Sequence, residues 1–531
     1  MGMEAGAPDH RSKKRKAPAT PATEAPCPEP ALPIADGDGG GAGGNRISDL
    51  PDAVSLRPRA MEMETAVAAA TSEGDASEST ADDHLSGLPD GVLGDIVSLL
   101  PTREGACTQV LSSRWRHLWR SAPLNLDHRS LCDHPDDLNS DDLDAVMSHI
   151  LSVHNGPVRR FCAPVYHLHG DRAATVDAWL QSSALDNLQE LELCSSNDYR
   201  LPPPTLPPPA AAFRFSETLC VAIFRECHIP DSTAQALRFP MLKKLGLKRV
   251  NISESSLQAM FDGCPALECL MISCSSGFRC VRINSISLRS IYVKSLARHT
   301  TLRFEQLIIK IAPLLMLLQL GSTVDLRISV IFAPKLETLG CLTSYHRSTT
   351  LKFDSSAIIQ GLRVDSLTKT VRSVKILCVD THSLSLDSVI DLMRCFPFLE
   401  RLYIESRGPG IKKLWRRKHR NTINSLDMRL KTIVWRYYSG MKSDVDFATF
   451  FLLNAGMLEL ITLEVDPSDY KVKFFRQQRK KLQLDKKASR GARIHITPGS
   501  VHQYVLDYGV HDLDLADPFR WRRPYKFRAL S

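Results

Sequence analysis

Apolar residues recur along most of this chain in one short pattern: apolar, two variable, apolar, one variable, apolar. Leu188, Leu191 and Leu193 make one copy, and Leu242/Leu245/Leu247, Leu267/Leu270/Ile272, Leu288/Ile291/Val293 and Leu315/Leu318/Leu320 make others. The series continues through Leu336/Leu339/Cys341, Ile359/Leu362/Val364, Val374/Leu377/Val379 and Leu399/Leu402/Ile404, with Leu430/Ile433/Trp435 and Leu458/Ile461/Leu463 beyond and a degenerate copy near Leu219. The last part of each copy alternates like a strand, and the linking segments read as helix or turn, Leu257–Phe261 and Val389–Phe396 among them. Most intervals fall near the ~20–29 residues of a leucine-rich repeat. No such unit can bury its apolar face alone, so neighbours are expected to stack into a curved solenoid with parallel strands on the concave side. Lys243, Lys244, Arg289, Lys375, Glu400 and Arg401 then fall at variable positions facing that concavity.

Residues 85–127 have a different period. Val92, Leu93, Ile96, Val97 and Leu100 recur at helical spacing after Leu88-Pro89, with Pro89 suited to the first helical position. Pro101 stops that helix, and Thr102 can cap the next. Val110 and Leu111 mark its apolar face. Ser112 or Ser113 can cap a third helix carrying Trp115, Leu118 and Trp119, which Pro123 ends. Three short helices make a very small core, yet the segment is rich in large apolar side chains, a surplus that suits a partner surface. A further helix is expected over 140–156, capped by Ser140, with Leu143, Val146, Met147, Ile150 and Leu151 as its stripe and Asn155-Gly156-Pro157 as its stop. Near the end, Asp444 and Asp446 would open a helix through Phe447, Phe450, Phe451 and Leu453 within a strand–helix–strand unit over 425–466, which would cap the array.

Length and charge sharpen this picture. With 531 residues the chain is too long for one compact core, and its hydrophobic fraction of 43% fits a folded protein. Residues 1–84 hold 8 basic and 15 acidic residues, a net −7, while residues 407–531 hold 26 and 12, a net +14. Residues 1–84 combine Pro/Ala runs, the stretch Gly37–Gly44 and an acidic Ser/Thr segment from Glu73 to Asp83, and are expected to be disordered. Within them Lys13, Lys14, Arg15 and Lys16 form a compact basic run of the kind nuclear import machinery reads. The 14 cysteines are single and lie in apolar segments, with no C-x-x-C pair. Cys264, Cys269, Cys274 and Cys280 come closest to a cluster, but their spacing fits no common zinc site, so buried free thiols are expected. No secretory leader is expected, and the most apolar stretch, Leu307–Leu320 with Lys310 and Pro313 inside it, is shorter than the ~18 residues of a membrane span.

The run from Leu85 to Asp127 resembles a plant-type F-box in Leu88-Pro89, the Ile96–Pro101 helix end, Val110-Leu111-Ser112, and Arg114-Trp115-Arg116-His117-Leu118-Trp119. That resemblance implies docking on a Skp-family adaptor, which links to a cullin and a RING subunit. It implies Leu88, Pro89, Ile96, Leu99, Leu100, Val110, Leu111, Trp115, Leu118 and Trp119 as the adaptor-binding residues. Gly91, Gly94 and Gly105 depart from good helix formers, at about 1 kcal/mol each against Ala, so the isolated segment is expected to be weakly folded. Residues 425–466 resemble the FBD domain of plant F-box proteins in Leu430-Lys431-Thr432, Asp444–Phe451, Leu453-Asn454-Ala455 and Leu458. Ala488-Ser489-Arg490-Gly491-Ala492 and Ala516-Asp517-Pro518-Phe519 are similar to tails of the same group.

The expected fold is α/β. A tail (1–84) precedes an F-box (85–127), a connecting helix (128–157), leucine-rich repeats (158–424), an FBD unit (425–466) and a basic C-terminal region (467–531). The expected function is a non-catalytic substrate receptor of an SCF-type ubiquitin ligase in the nucleus and/or cytoplasm, with an unidentified protein target on the repeats. No cofactor, metal, catalytic residue or membrane partner is expected. The chain shows no phosphate-binding Gly loop, H-E-x-x-H or G-x-S-x-G. Asp36-Gly37-Asp38 lacks the closing Glu of a calcium loop, and His167 and His169 read as exposed polar residues. A repeat scaffold without ubiquitin transfer is the alternative. Nucleic-acid binding through Lys412–Arg420 around Trp415 and through Lys471–Arg493 is a weaker one, because no nucleic-acid-binding signature accompanies these stretches.

Overall fold

A computed structural model of the protein describes residues 85, 87–131, 140–164, 173–194, 206–295, 302–321, 325–344, 349–382, 385–406, 428–499, 509–514 and 517–519. Residues 1–84 with the Lys13–Lys16 run, His167 and His169, and the Lys412–Arg420 stretch lie outside them.

The first elements are three helices, α1 (Asp90–Leu99), α2 (Thr102–Cys107) and α3 (Ser113–Ser121). Pro89 and Pro101 occupy the N-cap positions of α1 and α2, so α1 starts one residue later and α2 one residue earlier than expected from the sequence. Thr102 is therefore the first residue of α2, and its hydroxyl donates to Asn125 O at 2.5 Å instead of capping. Arg114 ties α3 to the start of α1 through Asp90 (Nε–Oδ1 2.7 Å) and Leu88 O (2.5 Å).

These helices run without a boundary into the long sheet. Leu124–Asp127 forms β1, which pairs in parallel with β2 (Val158–Pro164) across helix α4 (Ser140–Val153). Asn125 Nδ2 also donates to Ser98 O at the end of α1 (2.5 Å). The segment expected to end the F-box is thus the first strand of the sheet, which starts more than thirty residues before the expected repeats.

The sheet continues with β3 (Glu190–Cys194), β4 (Val221–Arg225), β5 (Lys244–Lys248) and β6 (Cys269–Ser273), separated by α5 (Ala173–Leu180), α6 (Asp231–Ala236) and α7 (Glu254–Asp262). Its register follows the leucines: Leu245 lies beside Leu270 and Leu247 beside Ile272, all four fully buried. The residue after each of β4, β5 and β6 (Glu226, Arg249, Cys274) has a left-handed backbone with φ of 50–55°, so the chain leaves successive strands by the same turn.

The linking layer then changes from helix to strand. The chain passes through β7 (Cys280–Asn284), β8 (Ser290–Lys294), β9 (Gln306–Ile311), β10 (Leu317–Leu320), β11 (Arg327–Val330), β12 (Thr338–Thr343), β13 (Thr350–Phe353), β14 (Ala357–Gln360) and β15 (Arg363–Leu367). Strands β8, β10 and β12 extend the long sheet, while β7, β9, β11 and β13 to β15 form a second, six-stranded sheet. The β-branched run Ile308–Ile309, with Leu307 and Ile309 buried and Ile308 half-buried, favours a strand here, and Pro313 prevents a helix from bridging β9 and β10. The apolar stretch Leu307–Leu320 is therefore two strands on two sheets. Ile359, Leu362 and Val364 are not a repeat: Ile359 and Val364 face each other in the antiparallel pair of β14 and β15, and Leu362 lies in the turn between them.

The long sheet resumes with β16 (Ile376–Thr381), α8 (Leu386–Cys395), β17 (Arg401–Ser406) and β18 (Thr432–Arg436). Helix α9 (Lys442–Asn454) leads to β19 (Leu460–Val465), and α10 (Val472–Lys481) leads to β20 (Arg493–Pro498), the last of 14 strands. Phe447 packs edge-on against Trp435 with centroids 5.1 Å apart, and Phe450 and Phe451 are buried beside it. Leu453, expected on the same face, is exposed, and Leu452 takes the inward position. The strand–helix–strand unit expected to cap the array is succeeded by a further helix and strand, so it is not its end.

One continuous core runs from Val97 and Trp119 to Ala492, lined by the leucine face of the sheet and the linking layer. The other face of the sheet carries the alternate residues. The expected α/β solenoid with a long parallel sheet is what the chain forms, with strands in place of helices across its middle.

Candidate functional site

Two surfaces have the chemistry to hold partners. On the N-terminal helices, Val110 is 85% exposed, Leu99 68% and Leu111 63%, and Val92 and Ile96 are also exposed. Exposed large apolar residues within one small unit mark an interaction surface. Pro89 is exposed, and Leu88, Leu100 and Trp115 are half-buried.

Leu118 and Trp119 face the other way. Both are buried, Trp119 belongs to the core of the repeats, and its ring meets the His154 ring edge-on at 5.5 Å. These two expected adaptor contacts present their side chains to the interior, where α1 packs on α3 and β1 lies against α1 and α2. Gly105 is also reinterpreted: a Cβ there would stand 2.6 Å from Trp119 Cζ3, so this glycine makes room for the ring. Burial pushes the His154 imidazole below its ordinary value, although Nε2 lies 2.9 Å from Ala122 O, a bond that opposes the shift.

The second surface is the open face of the long sheet. At its N-terminal end Glu192 lies between Arg160 (3.0 Å), Arg129 (3.1 Å) and Arg225 (3.1 Å), with Asp127 bonded to Arg129 at 2.7 Å. Burial pushes the Glu192 carboxyl up, but the guanidinium groups of Arg129, Arg225 and Arg160 override this and hold it well below the usual carboxylate range. Asp127 is held down in the same way, against its burial, chiefly by Arg129.

Further along, neighbouring repeats are laced by ion pairs: Arg289–Glu268 (3.4 Å), Lys375–Glu337 (2.8 Å) and Lys431–Glu400 (3.0 Å). Arg289, Lys375 and Glu400, expected to read a target, are thus engaged within the solenoid, and Lys243 is exposed. Lys244 and Arg401 are held differently. Their partners are Asp514 and Asp517, from the end of the chain, with Arg401 Nη1 2.8 Å from Asp517 Oδ2.

Residues 509–514 and 517–519 lie on this face. Val510 and Leu513 are buried among Val221, Ile223, Met271 and Tyr292, and Ser290 Oγ donates to Leu513 O at 2.9 Å. Phe519 is fully buried against Cys378 and Tyr403, and Arg436 Nη2 donates to its carbonyl at 2.6 Å. Tyr403 OH donates to Asp517 Oδ2 at 2.6 Å. Sequence reasoning missed this placement. Its signal was the acidic and apolar character of Val510–Asp514 within an otherwise basic region.

Among the described residues, Asp127, His128 and Cys162 are the one grouping whose donor atoms lie close enough to share a metal ion. Their chemistry does not fit one. Asp127 is neutralised by Arg129 and Arg160, and His128 Nδ1 lies 3.1 Å from Cys162 O. Cys264, Cys269 and Cys280 are buried, and burial pushes the thiols of Cys264 and Cys269 up to about 12. Of the basic C-terminal stretch, Arg476, Arg479 and Lys480 are exposed on α10, beside a groove lined by Phe475, Ile494 and Ile496.

Comparison with known proteins agrees with this architecture. Residues 176–404 match the family described as FBD-associated F-box protein At5g56370, LRR repeats, and residues 418–463 match the FBD family. The F-box/FBD/LRR-repeat protein At1g13570 of Arabidopsis thaliana is 26% identical over 204 residues, 36% of this chain and 44% of that protein. The F-box/LRR-repeat protein At3g03360 of Arabidopsis thaliana is 28% identical over 215 residues, 39% and 41% of the two chains. The putative F-box protein At1g21990 of Arabidopsis thaliana is 31% identical over 206 residues, 37% and 41%. The matched part is thus less than half the length of each of these relatives. The repeat match coincides with strands β3 to β17 and the FBD match with the β18–α9–β19 unit, so over these segments the chain carries the leucine-rich-repeat and FBD domains found in plant F-box proteins.

Proposed function

We propose that this chain is the non-catalytic substrate receptor of an SCF-type ubiquitin ligase. In this reading α1 to α3 dock on a Skp-family adaptor, which brings a cullin and a RING subunit, and the open face of the long sheet holds a target protein. The observation that carries it is the exposure of Leu99, Val110 and Leu111 on a three-helix unit that shares a core with the repeats. A shared core matters for the chemistry. The receptor supplies proximity between a target lysine and a charged conjugating enzyme, and proximity needs a fixed spacing between the two surfaces. Trp119, β1 and the Thr102–Asn125 bond supply that fixity. Residence in the nucleus and/or cytoplasm belongs to the same proposal, and its nuclear part is supported by Lys13–Lys16 alone.

The test is a reconstituted ligase: adaptor, cullin, RING subunit, charged conjugating enzyme and this chain. Ubiquitin transfer to a captured protein or to the receptor's own lysines is expected, and Val110→Asp/Leu111→Asp should abolish it. Adaptor binding without any transfer would instead favour a scaffold, and transfer that ignores the double substitution would remove the proposed docking surface.

A further inference from the structure

The open face of the sheet is occupied by part of the same chain, and the manner of that occupation gives the chemistry of what the face binds. Two anchor groups are present. In the first, Val510 and Leu513 fill an apolar depression over β4, β6, β8 and β10, while Asp514 pairs with Lys244 and accepts from Cys269 Sγ at 3.1 Å. In the second, Asp517 takes Arg401 and the Tyr403 hydroxyl, and Phe519 enters a slot beside Cys378 and Tyr403. The slot is shaped for a ring: a Cβ on Gly340 would stand 2.7 Å from Phe519 Cζ. Each anchor therefore couples an apolar side chain to a neighbouring carboxylate, and each carboxylate meets a cation on the sheet.

The occupant does not use everything the floor offers. Gln319, on β10 at the edge of the first anchor and next to β12, is completely buried, and neither its amide nitrogen nor its amide oxygen has a hydrogen-bond partner among the described residues. A buried unpaired amide is costly, and a ligand that engaged it would recover that cost. The described contacts of residues 509–519 are side-chain contacts and side-chain hydrogen bonds to carbonyls (from Ser290 and Arg436), and among the described residues the segment adds no strand to the sheet.

We infer that the open face is a groove for a short acidic peptide segment of a target protein, its first anchor presented on a helical turn as in Val510–Asp514. Such a segment carries a Leu-Asp anchor and an Asp-x-Phe anchor, and residues 509–514 and 517–519 hold the groove as an internal competitor until it arrives. This rests on the receptor reading for the word target, but the binding chemistry stands on its own. A tethered competitor acts at an effective concentration of about millimolar, so it lowers the apparent affinity for a free peptide by the fraction of time the groove is open.

The test uses the full chain and a fluorescein-labelled synthetic peptide with the sequence of residues 508–520. Fluorescence anisotropy should show weak binding to the wild type and binding at least about tenfold tighter to the chain carrying Asp514→Lys/Phe519→Ala, whose own segment no longer competes. A peptide with Ala at the positions of Leu513, Asp514, Asp517 and Phe519 should not bind. Adding Arg401→Glu to the released chain should weaken the peptide by about tenfold or more, and a peptide with Lys in place of Asp517 should restore it. Equal binding to wild type and released chain, or none to either, would overturn the inference. So would loss of cooperative unfolding in the released chain, since a displaceable occupant cannot be required for the fold. Adaptor capture measured on the same samples separates the two readings. Peptide failure with intact adaptor capture removes only the groove, and adaptor failure with intact peptide binding removes only the ligase.

Discussion

Gly105 and Trp119 allow a sharp test of how the N-terminal helices are joined to the repeats. Replacing Gly105 by Ala in the interior of α2 raises helix propensity by about 1 kcal/mol. The added methyl would stand 2.6 Å from Trp119 Cζ3, roughly an ångström inside ordinary carbon contact. The ring cannot swing away, because it is 9% exposed and packed against His154. Overpacking of this kind costs about 1–3 kcal/mol, so Gly105→Ala should destabilise the helices by about 1 kcal/mol net. In a Trp119→Ala chain the obstacle is gone and the same change should stabilise by about 1 kcal/mol, although Trp119→Ala itself costs about 3–5 kcal/mol. The coupling between the two sites is then about 2 kcal/mol with a reversal of sign. Long repeat arrays need not unfold in two states, so the readout should be local: hydrogen exchange of amides in α2 and α3. Faster exchange in Gly105→Ala and slower exchange in the double variant than in Trp119→Ala are expected. Slower exchange in both backgrounds would refute the packing argument and restore the glycine to a mere weakness of the helix.

The open face and the core give three further expected outcomes. Glu405 and Arg436 form a buried pair at 2.9 Å, and Arg436 also holds the Phe519 carbonyl. Glu405→Ala should cost about 3–5 kcal/mol and show as faster exchange in β17 and β18, whereas a change within error would contradict the pairing. His511 sits among Arg160, Glu190, Glu192 and Lys244, and burial, with Arg160 next, pushes its imidazole below the ordinary 6.5. The docked segment therefore resists protonation that the free segment accepts. Docking should be unaffected well above pH 6.5 and weaken as pH falls through it, by at most about tenfold per pH unit, as read by binding of the 508–520 peptide to the Asp514→Lys/Phe519→Ala chain, which has no internal competitor, at pH 7.5 and 5.5; tighter peptide binding at 5.5 would reverse the assignment. Burial pushes the thiols of Cys227, Cys264, Cys269 and Cys395 up to about 12, so these four should resist maleimide at pH 7.5 in the native protein and label on unfolding, and native labelling by mass spectrometry would contradict their burial.

The L-x-x-L-x-L rhythm made most strands of the long sheet legible, because stacking forces the same residue type to the same register in each turn. The pattern is local, and it failed where pairing was decided at a distance. Ile359, Leu362 and Val364 fit it, but Gly361 and the strand preference around them turn the chain into an antiparallel hairpin on the second sheet. Leu124 and Leu126 were hidden inside a segment read as the end of three helices, since nothing local says that they pair with Val158 and Phe161. The surplus of apolar side chains in this segment was legible, and Val110 and Leu111 carry part of it at the surface. The helical period of α3 left open whether Leu118 and Trp119 face a partner or the interior, because it is the same whichever body the apolar stripe meets. The acidic segment on the open face was masked by the basic residues on either side of it.

The measurement closest to the central claim is a calorimetric titration of a purified Skp-family adaptor into the full chain. Burial of Val110 and Leu111 is worth about 1.5–3 kcal/mol each, and carboxylates in their place add a desolvation cost. Val110→Asp/Leu111→Asp should therefore weaken the adaptor by more than about a hundredfold, while Trp119→Phe, which alters only the interior, should leave the affinity within about threefold. Unchanged affinity in Val110→Asp/Leu111→Asp, or no adaptor binding by the wild-type chain, would contradict the account.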